Sequence, residues 1–428
     1  MSRSEPHIPS PEAPAGRGAA ELSPRFWLVV GLTGVGAGLA GAALMGLLRA
    51  VQHVSYGYAS GPFLDGVTRS SMGRRVLVMT LAGLLAGVAW SLLRRVSRSL
   101  GGLGGMTGEK GGRHAFAATL ADGVAQIVVV AMGAPLGREG APKQVGAAIA
   151  RALGGLVRTS AAQRRVLGAC GAGAGLAAVY NVPLGGALFA LEVLLGSVTL
   201  PLVLPAFATA LIATAVSWVA LPDQPTFSLP SYGIAAGQVV WAMAFGPLAG
   251  LVAAGWVRVV AWAKAGRPQG WRLVTTTTPA FAALGVAAIG FPGILGNGKD
   301  VAQLAFVDHL GLPLLAALVV LRPLAMVAAL RSGAAGGLFT PTLTVGALLG
   351  GLLGHLWAGL WPGAPVASYA VLGAGAMLAA SMQAPVTAIV LVLELTDQGQ
   401  PLMVPLLLSA AAATLVARAL GGRSIYSE

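Results

Sequence analysis

Charge is what this chain has least of. Only 10% of its 428 residues are Asp, Glu, Lys or Arg, where a soluble domain carries about a quarter. A fold facing water on all sides needs those groups on its surface, so a soluble enzyme and a nucleic-acid-binding domain are both excluded. Acids are scarcer still, 14 against 27 Lys and Arg. The single cysteine, Cys170, allows no internal disulfide and no cysteine-built metal site; its small side chain suits a helix contact. The five histidines are scattered without ligand spacing, so no metal is expected. No Gly-rich stretch ends in the Gly-Lys-Ser/Thr of a nucleotide-binding loop. That argues against an ATP-driven pump, and no cofactor is expected.

What the chain has in quantity is apolar surface and glycine. It is 56% hydrophobic with 62 glycines and a mean hydropathy of +0.79. It reads as an all-α polytopic membrane protein. Residues 1–24, rich in Pro, Ser, Gly and Glu, read as a disordered tail without the apolar core of a signal peptide. One transmembrane domain follows over 25–428. The runs Phe26–Leu48, Val76–Leu93, Val239–Val260 and Leu312–Leu330 have about the 20 residues a spanning helix needs. The basic clusters Arg74–Arg75, Arg94–Arg95–Arg98, Arg164–Arg165 and Lys264–Arg267–Arg272 lie between apolar runs, as loops held in the cytoplasm do. They predict a multi-pass protein of the cell membrane with both termini cytoplasmic.

Other apolar segments are interrupted: Gly137–Val157, Gly168–Leu195, Gly336–Leu353 and Leu372–Leu395. Broken helices in a bilayer are tolerated where protein or a water-filled cavity covers them. They also repeat. Leu176-Ala177-Ala178, Pro183 and Glu192 recur as Leu378-Ala379-Ala380, Pro385 and Glu394, every match 202 residues on. Upstream, Gly137-Arg138-Glu139-Gly140-Ala141-Pro142 corresponds to Gly336-Gly337-Leu338-Phe339-Thr340-Pro341. Several matches at one offset predict an internal repeat with halves of roughly 25–220 and 235–428. Transporter halves of this kind often have inverted topology and hold their ion where they meet. The glycines from Gly168 to Gly175 form a surface for close helix packing.

Four acids lie in apolar surroundings: Asp122, Glu139, Glu192 and Glu394. An intramembrane carboxylate is costly and marks function by default. Glu139 stands out, with glycines on either side and a helix start just after it. A helix N-terminus offers unpaired N–H groups and a positive dipole end; a carboxylate there can occupy an anion's seat and leave it when protonated. The structural alternative is a pairing with Arg138. Gly336–Pro341 predicts a second helix start, so two N-termini from opposite halves would form an anion site of backbone amides, able to bind without trapping. Glu192 and Glu394, at equivalent positions, favour a structural role on a neighbouring loop's backbone. Asp122 is a candidate for a proton path or for pairing with an arginine.

These residues resemble the CLC family of chloride channels and proton/chloride antiporters. The resemblance runs from about Phe26 to the C-terminus. It rests on Gly137-Arg138-Glu139-Gly140, Gly337-Leu338-Phe339-Thr340-Pro341, Asn181-Val182-Pro183-Leu184-Gly185-Gly186 and Gly421-Gly422-Arg423-Ser424-Ile425-Tyr426-Ser427. It implies two inverted-topology repeats of tilted and broken helices, assembled as a homodimer in the lipid bilayer with a pore in each subunit. Glu139 would be the gate, and the Tyr426 hydroxyl would hold the central anion. Amides around Arg138–Gly140 and across Leu338, Phe339 and Thr340 would line the path of chloride or other small anions. Three departures stand against the pattern. Leu103 falls where the family's anion-touching serine belongs. Ala141 follows Gly140, with Pro142 one place late and Lys143 after it. Val193 replaces an inner proton-transfer glutamate, and a valine carries no proton, so coupling to protons is open. A fluoride/proton antiporter of the family's fluoride branch, and a non-conducting membrane sensor or scaffold, are the alternatives.

Overall fold

The structure, a computed structural model, describes residues 23–96 and 113–427. Residues 1–22 of the expected tail, and Leu103, lie outside the described residues. The described residues form sixteen α-helices and no sheet. Among the described residues, nine helices are long and apolar enough to cross a membrane.

The first, α1 (Pro24–Tyr56), shows how such a helix is specified. Ser23 caps it by accepting the Phe26 N–H, Pro24 starts it, and Gly57 ends it in the left-handed conformation (φ 69°). One stripe, Leu28, Leu32, Val35 and Leu39, is exposed, while Gly34, Ala37, Gly38 and Gly41 are buried. A side chain added at Gly34 or Gly38 would run into Ile212, Ala213 or Val216 of α8 (Leu200–Ser217). Small residues face inward and large apolar ones outward. Packing in lipid asks for that, because leucine gains nothing by leaving it and close backbone contact must hold the helices together.

The helices between them are α2 (Phe63–Arg69), α3 (Met72–Val96), α4 (Arg113–Ala131), α5 (Gly140–Leu156), α6 (Ala161–Tyr180) and α7 (Pro183–Leu188). A π-helix over Phe189–Leu195 continues α7. Next come α9 (Ala236–Ala265), α10 (Arg272–Gly290), α11 (Lys299–Phe306), α12 (Leu312–Ser332), α13 (Phe339–Leu360), α14 (Val366–Met382), α15 (Pro385–Thr396) and α16 (Gln400–Ala419).

The expected breaks occur at equivalent places. Asn181 ends α6 and Gln383 ends α14, each left-handed with φ 57°, and Pro183 and Pro385 begin the next helices. Glycine contacts repeat too. Gly146 lies against Gly171, and Gly346 against Gly373, so closely that a Cβ at any of the four would strike the opposite carbonyl. Cys170 is buried in a cluster with Ala206 and Ala210.

Glu192 and Glu394 take the structural role expected of them, and they exchange it. The Glu192 carboxylate accepts the N–H groups of Val386 (3.3 Å) and Thr387 (2.6 Å) and the Thr387 hydroxyl. Glu394 accepts those of Leu184 (3.0 Å) and Gly185 (2.6 Å). Each half thus caps the proline-led helix of the other, satisfying amides that no intrahelical carbonyl can reach. A hydrogen bond to a charged group is worth about 1.5–3 kcal/mol, so Glu394→Ala is expected to lower stability by that much. Thermal melting in detergent measures it, and an unshifted melting curve would mean that the cap carries no weight.

The basic clusters need correction. Arg74–Arg75 and Arg94–Arg95 stand at opposite ends of α3, a helix of 25 residues and thus about 37 Å long. They cannot share one side of a membrane. Arg75 is moreover buried, donating to the carbonyls of Val67, Thr68, Ser70 and Ala288. Arg322 is buried likewise, donating to those of Gly293, Leu295 and Gly296. Composition suggests topogenic loop charge, but these guanidiniums gather carbonyls that the connecting segments leave unpaired.

Candidate functional site

The two helix starts meet. Gly137 donates its N–H to the Gly337 carbonyl (2.7 Å) and Gly337 returns the bond (2.8 Å). This isolated antiparallel bridge ties the approach to α5 to the approach to α13. The side chain of Glu139, fully buried, folds back over it. Oε1 accepts the Phe339 N–H at 2.7 Å. Oε2 lies 3.2 Å from the hydroxyls of both Tyr180 and Thr340; these also hydrogen-bond to each other at 2.5 Å, so each, with one proton, donates either to Oε2 or to the other. A Cβ at Gly137 or Gly337 would occupy the carboxylate's own space, so both glycines are needed for this seat. The carboxylate therefore stands where a free anion would find a helix N-terminus and two hydroxyl donors.

Sequence reasoning found Glu139, Phe339 and Thr340, and the fold brings them together. Leu338 precedes the first turn of α13, and Gly140 opens α5 beside Gly337. Arg138 is not the partner of Glu139: no ion pair joins them among the described residues. Its guanidinium lies over the Tyr180 ring, 4.9 Å from the centroid. Tyr180 was missed, though it directly precedes the Asn181-Val182-Pro183 motif and touches the carboxylate.

Tyr426 lies farther along α5. Its hydroxyl accepts from Lys143 Nζ at 3.4 Å, its ring meets Phe189 edge-on, and the Ile425 N–H anchors its segment to the Ser381 carbonyl. Asp122 is set aside from Glu139. It accepts from the Trp90 indole (2.7 Å) and the Gln126 amide (2.6 Å), and Gln126 also donates to Gln144. The nearest guanidiniums, Arg94 and Arg267, act on it through space without forming an ion pair among the described residues. Val193 is partly buried in the π-helix, beside a Glu192 already committed to Thr387. No group of three or more His, Cys, Asp or Glu suited to a metal occurs among the described residues.

A vestibule of about 320 Å³ opens onto Arg138 and Tyr180, lined also by Arg49, Asn181, Asn297 and Lys299. Burial, with Arg138 and Arg49 nearby, holds the Lys299 ammonium down at about 8. A concave surface with this excess of positive charge draws anions inward.

This meeting of two helix starts around a buried glutamate is accompanied by relatedness along the chain. The family described as voltage gated chloride channel, the CLC family, matches over residues 82–418. The chain belongs to the CLC family. It is 32% identical over 424 residues to the H(+)/Cl(-) exchange transporter ClcA of Cronobacter sakazakii, covering 94% of this chain and 88% of that one. It is 30% identical over 417 residues to the voltage-gated ClC-type chloride channel ClcB of Escherichia coli, covering 94% and 98%. The fold is similar to that of a slow cyanobacterial Cl-/H+ antiporter, with a TM-score of 0.82 at 23% identity, covering 95% of this chain and 97% of the other. As a CLC protein it is a multi-pass membrane protein of two inverted repeats, and the Gly137–Gly337 bridge is one of the places where the repeats touch.

Proposed function

We propose that this CLC protein carries chloride, or a closely related small anion, across the cell membrane along a path gated by Glu139. One observation carries the reading: a fully buried carboxylate held by the Phe339 amide and the hydroxyls of Tyr180 and Thr340. Those donors suit an anion. Protonation removes the charge that holds Glu139 in place and frees the seat. Tyr426 offers a second donor deeper in, and amides from Arg138 to Gly140 and from Leu338 to Thr340 line the route between. The transporting unit is the single domain 25–428, in a homodimer with a path in each subunit and both termini cytoplasmic. The expected tail 1–24 is shorter by two residues, because Ser23 caps α1 and Pro24 starts it.

Relatives with both behaviours in their names, exchanger and channel, support anion transport without choosing between them. The residues favour loose coupling. Val193 cannot carry a proton, and Glu192 is spent on Val386 and Thr387. Asp122 leads toward α5 only through two glutamine amides, which neither take up nor release a proton at ordinary pH. A proton reaching Glu139 from that direction must come by water.

Purified protein in liposomes tests the proposal, with chloride, fluoride and external pH recorded together. Chloride efflux with little or no proton uptake is the expected result. Chloride efflux with stoichiometric proton uptake would restore tight coupling and turn attention to Asp122. Fluoride efflux with little chloride would establish the fluoride/proton reading, which Leu103 and Ala141 favour. No flux of either anion would leave a membrane sensor or scaffold.

A further inference from the structure

Among the described residues, Lys143 is a buried cation with no carboxylate at ion-pair distance; Glu139, one turn back, acts on it only through space. The lysine lies in α5, its N–H bonded to the Glu139 carbonyl at 3.3 Å, and it is 2% exposed. An ammonium has three donors. Among the described residues only one finds an acceptor, the Tyr426 hydroxyl at a long 3.4 Å, and no carboxylate lies within 4 Å. The rings of Tyr426 and Phe189 face it, with centroids 4.6 and 4.9 Å from Nζ. Aromatic faces offset part of the cost of burying a cation but do not supply a counterion, and burying a charge without one is costly.

We infer that Lys143 binds the transported anion. A small monovalent anion placed between Nζ and the Tyr426 hydroxyl would accept from both, and the hydroxyl can donate to it while still accepting from the ammonium. Relying on the anion-transport reading above, this adds a fixed positive charge to a path otherwise built from neutral amides and hydroxyls. The seat would then be one of high affinity and slow release, since rapid conduction depends on weak binding. It also links two negative charges along one helix face: with no free anion present, the nearest available negative charge is that of Glu139, one turn away.

The test compares the full-length protein with Lys143→Met, Lys143→Gln and Lys143→Arg, purified in detergent. Chloride titration calorimetry and the rise of melting temperature with chloride are measured for each, beside chloride efflux from liposomes. Ligand that binds only the folded state stabilises it, so the wild-type melting temperature should climb with chloride. Met and Gln should weaken chloride binding at least tenfold and flatten that climb, and neither leaves a buried charge to threaten folding. Arg should keep affinity within about threefold. Wild-type affinity in Met or Gln would overturn the inference, and so would a loss in Arg as large as in Met. Failure of the transport reading itself would look different, with wild-type protein that neither binds chloride nor releases it from liposomes.

Discussion

Chloride flux through Glu139→Gln is expected to be indifferent to pH, where wild-type flux rises as pH falls. The sign follows from the seat. In the wild-type protein the ionised carboxylate is held by one amide and two hydroxyls in a fully buried place, so it competes with any arriving anion. Protons remove the competitor, and flux increases. Glutamine has the same shape and no charge to lose. Its hold on the Phe339 N–H is a neutral hydrogen bond, about half as strong as a charged one, so an anion displaces it at any pH. Proton movement with chloride should also vanish, since among the described residues no other buried acid stands at the two helix starts. Liposome efflux across a pH series reads both effects. Retention of the wild-type rise toward low pH would remove Glu139 from the gate.

The second large effect needs no change to the glutamate. Gly337→Ala would put a methyl group into the space that the Glu139 carboxylate fills. Gly337 has no positive φ, so alanine suits the backbone and the nearest collision is with the Glu139 side chain. The Gly137–Gly337 bridge ties main chain to main chain, whereas the glutamate turns about single bonds, so the carboxylate yields first. Flux through Gly337→Ala should therefore lose most of its pH dependence with every titratable group intact. Gly336→Ala is the control. A methyl there meets Leu136 and not the carboxylate, so the same turn is crowded while the gate keeps its seat and its pH response. Equal pH dependence in both variants would mean the carboxylate is not seated on Gly337 during transport.

The membrane class, the broken helices and the principal acid are legible in the sequence because each is a local signal. Scarce charge, glycine and proline within apolar segments, and a glutamate between glycines are all readable directly from the chain. The repeat is legible because Pro183 and Pro385, like Glu192 and Glu394, stand at one offset. What escapes is whatever depends on long closure. Tyr180 reaches Glu139 across 41 residues and Thr340 across 160, and its place beside the Asn181-Val182-Pro183 motif does not say which carboxylate it meets. Lys143 reads as an oddity after Pro142 until Phe189 and Tyr426, the latter 283 residues away, are seen around it. The misassigned arginines have the opposite cause: Arg74 and Arg75 carry a true statistical signal for loops, but carbonyl pairing outweighs it at Arg75.

The crossed glutamate caps carry a further consequence. During synthesis, the N–H groups of Leu184 and Gly185 reach the bilayer some 200 residues before Glu394 is made, so the first half waits with its cap position open. The exchange is also its own counterpart under a two-fold rotation. One sequence, with a proline-led helix and a glutamate nine residues after the proline, is enough to write it, because an inverted copy would return both bonds. A half-length ancestor could have closed on itself in this way before a duplication joined the two copies into one chain. Two fragments divided between residues 220 and 235 would still hold every group that the exchange requires.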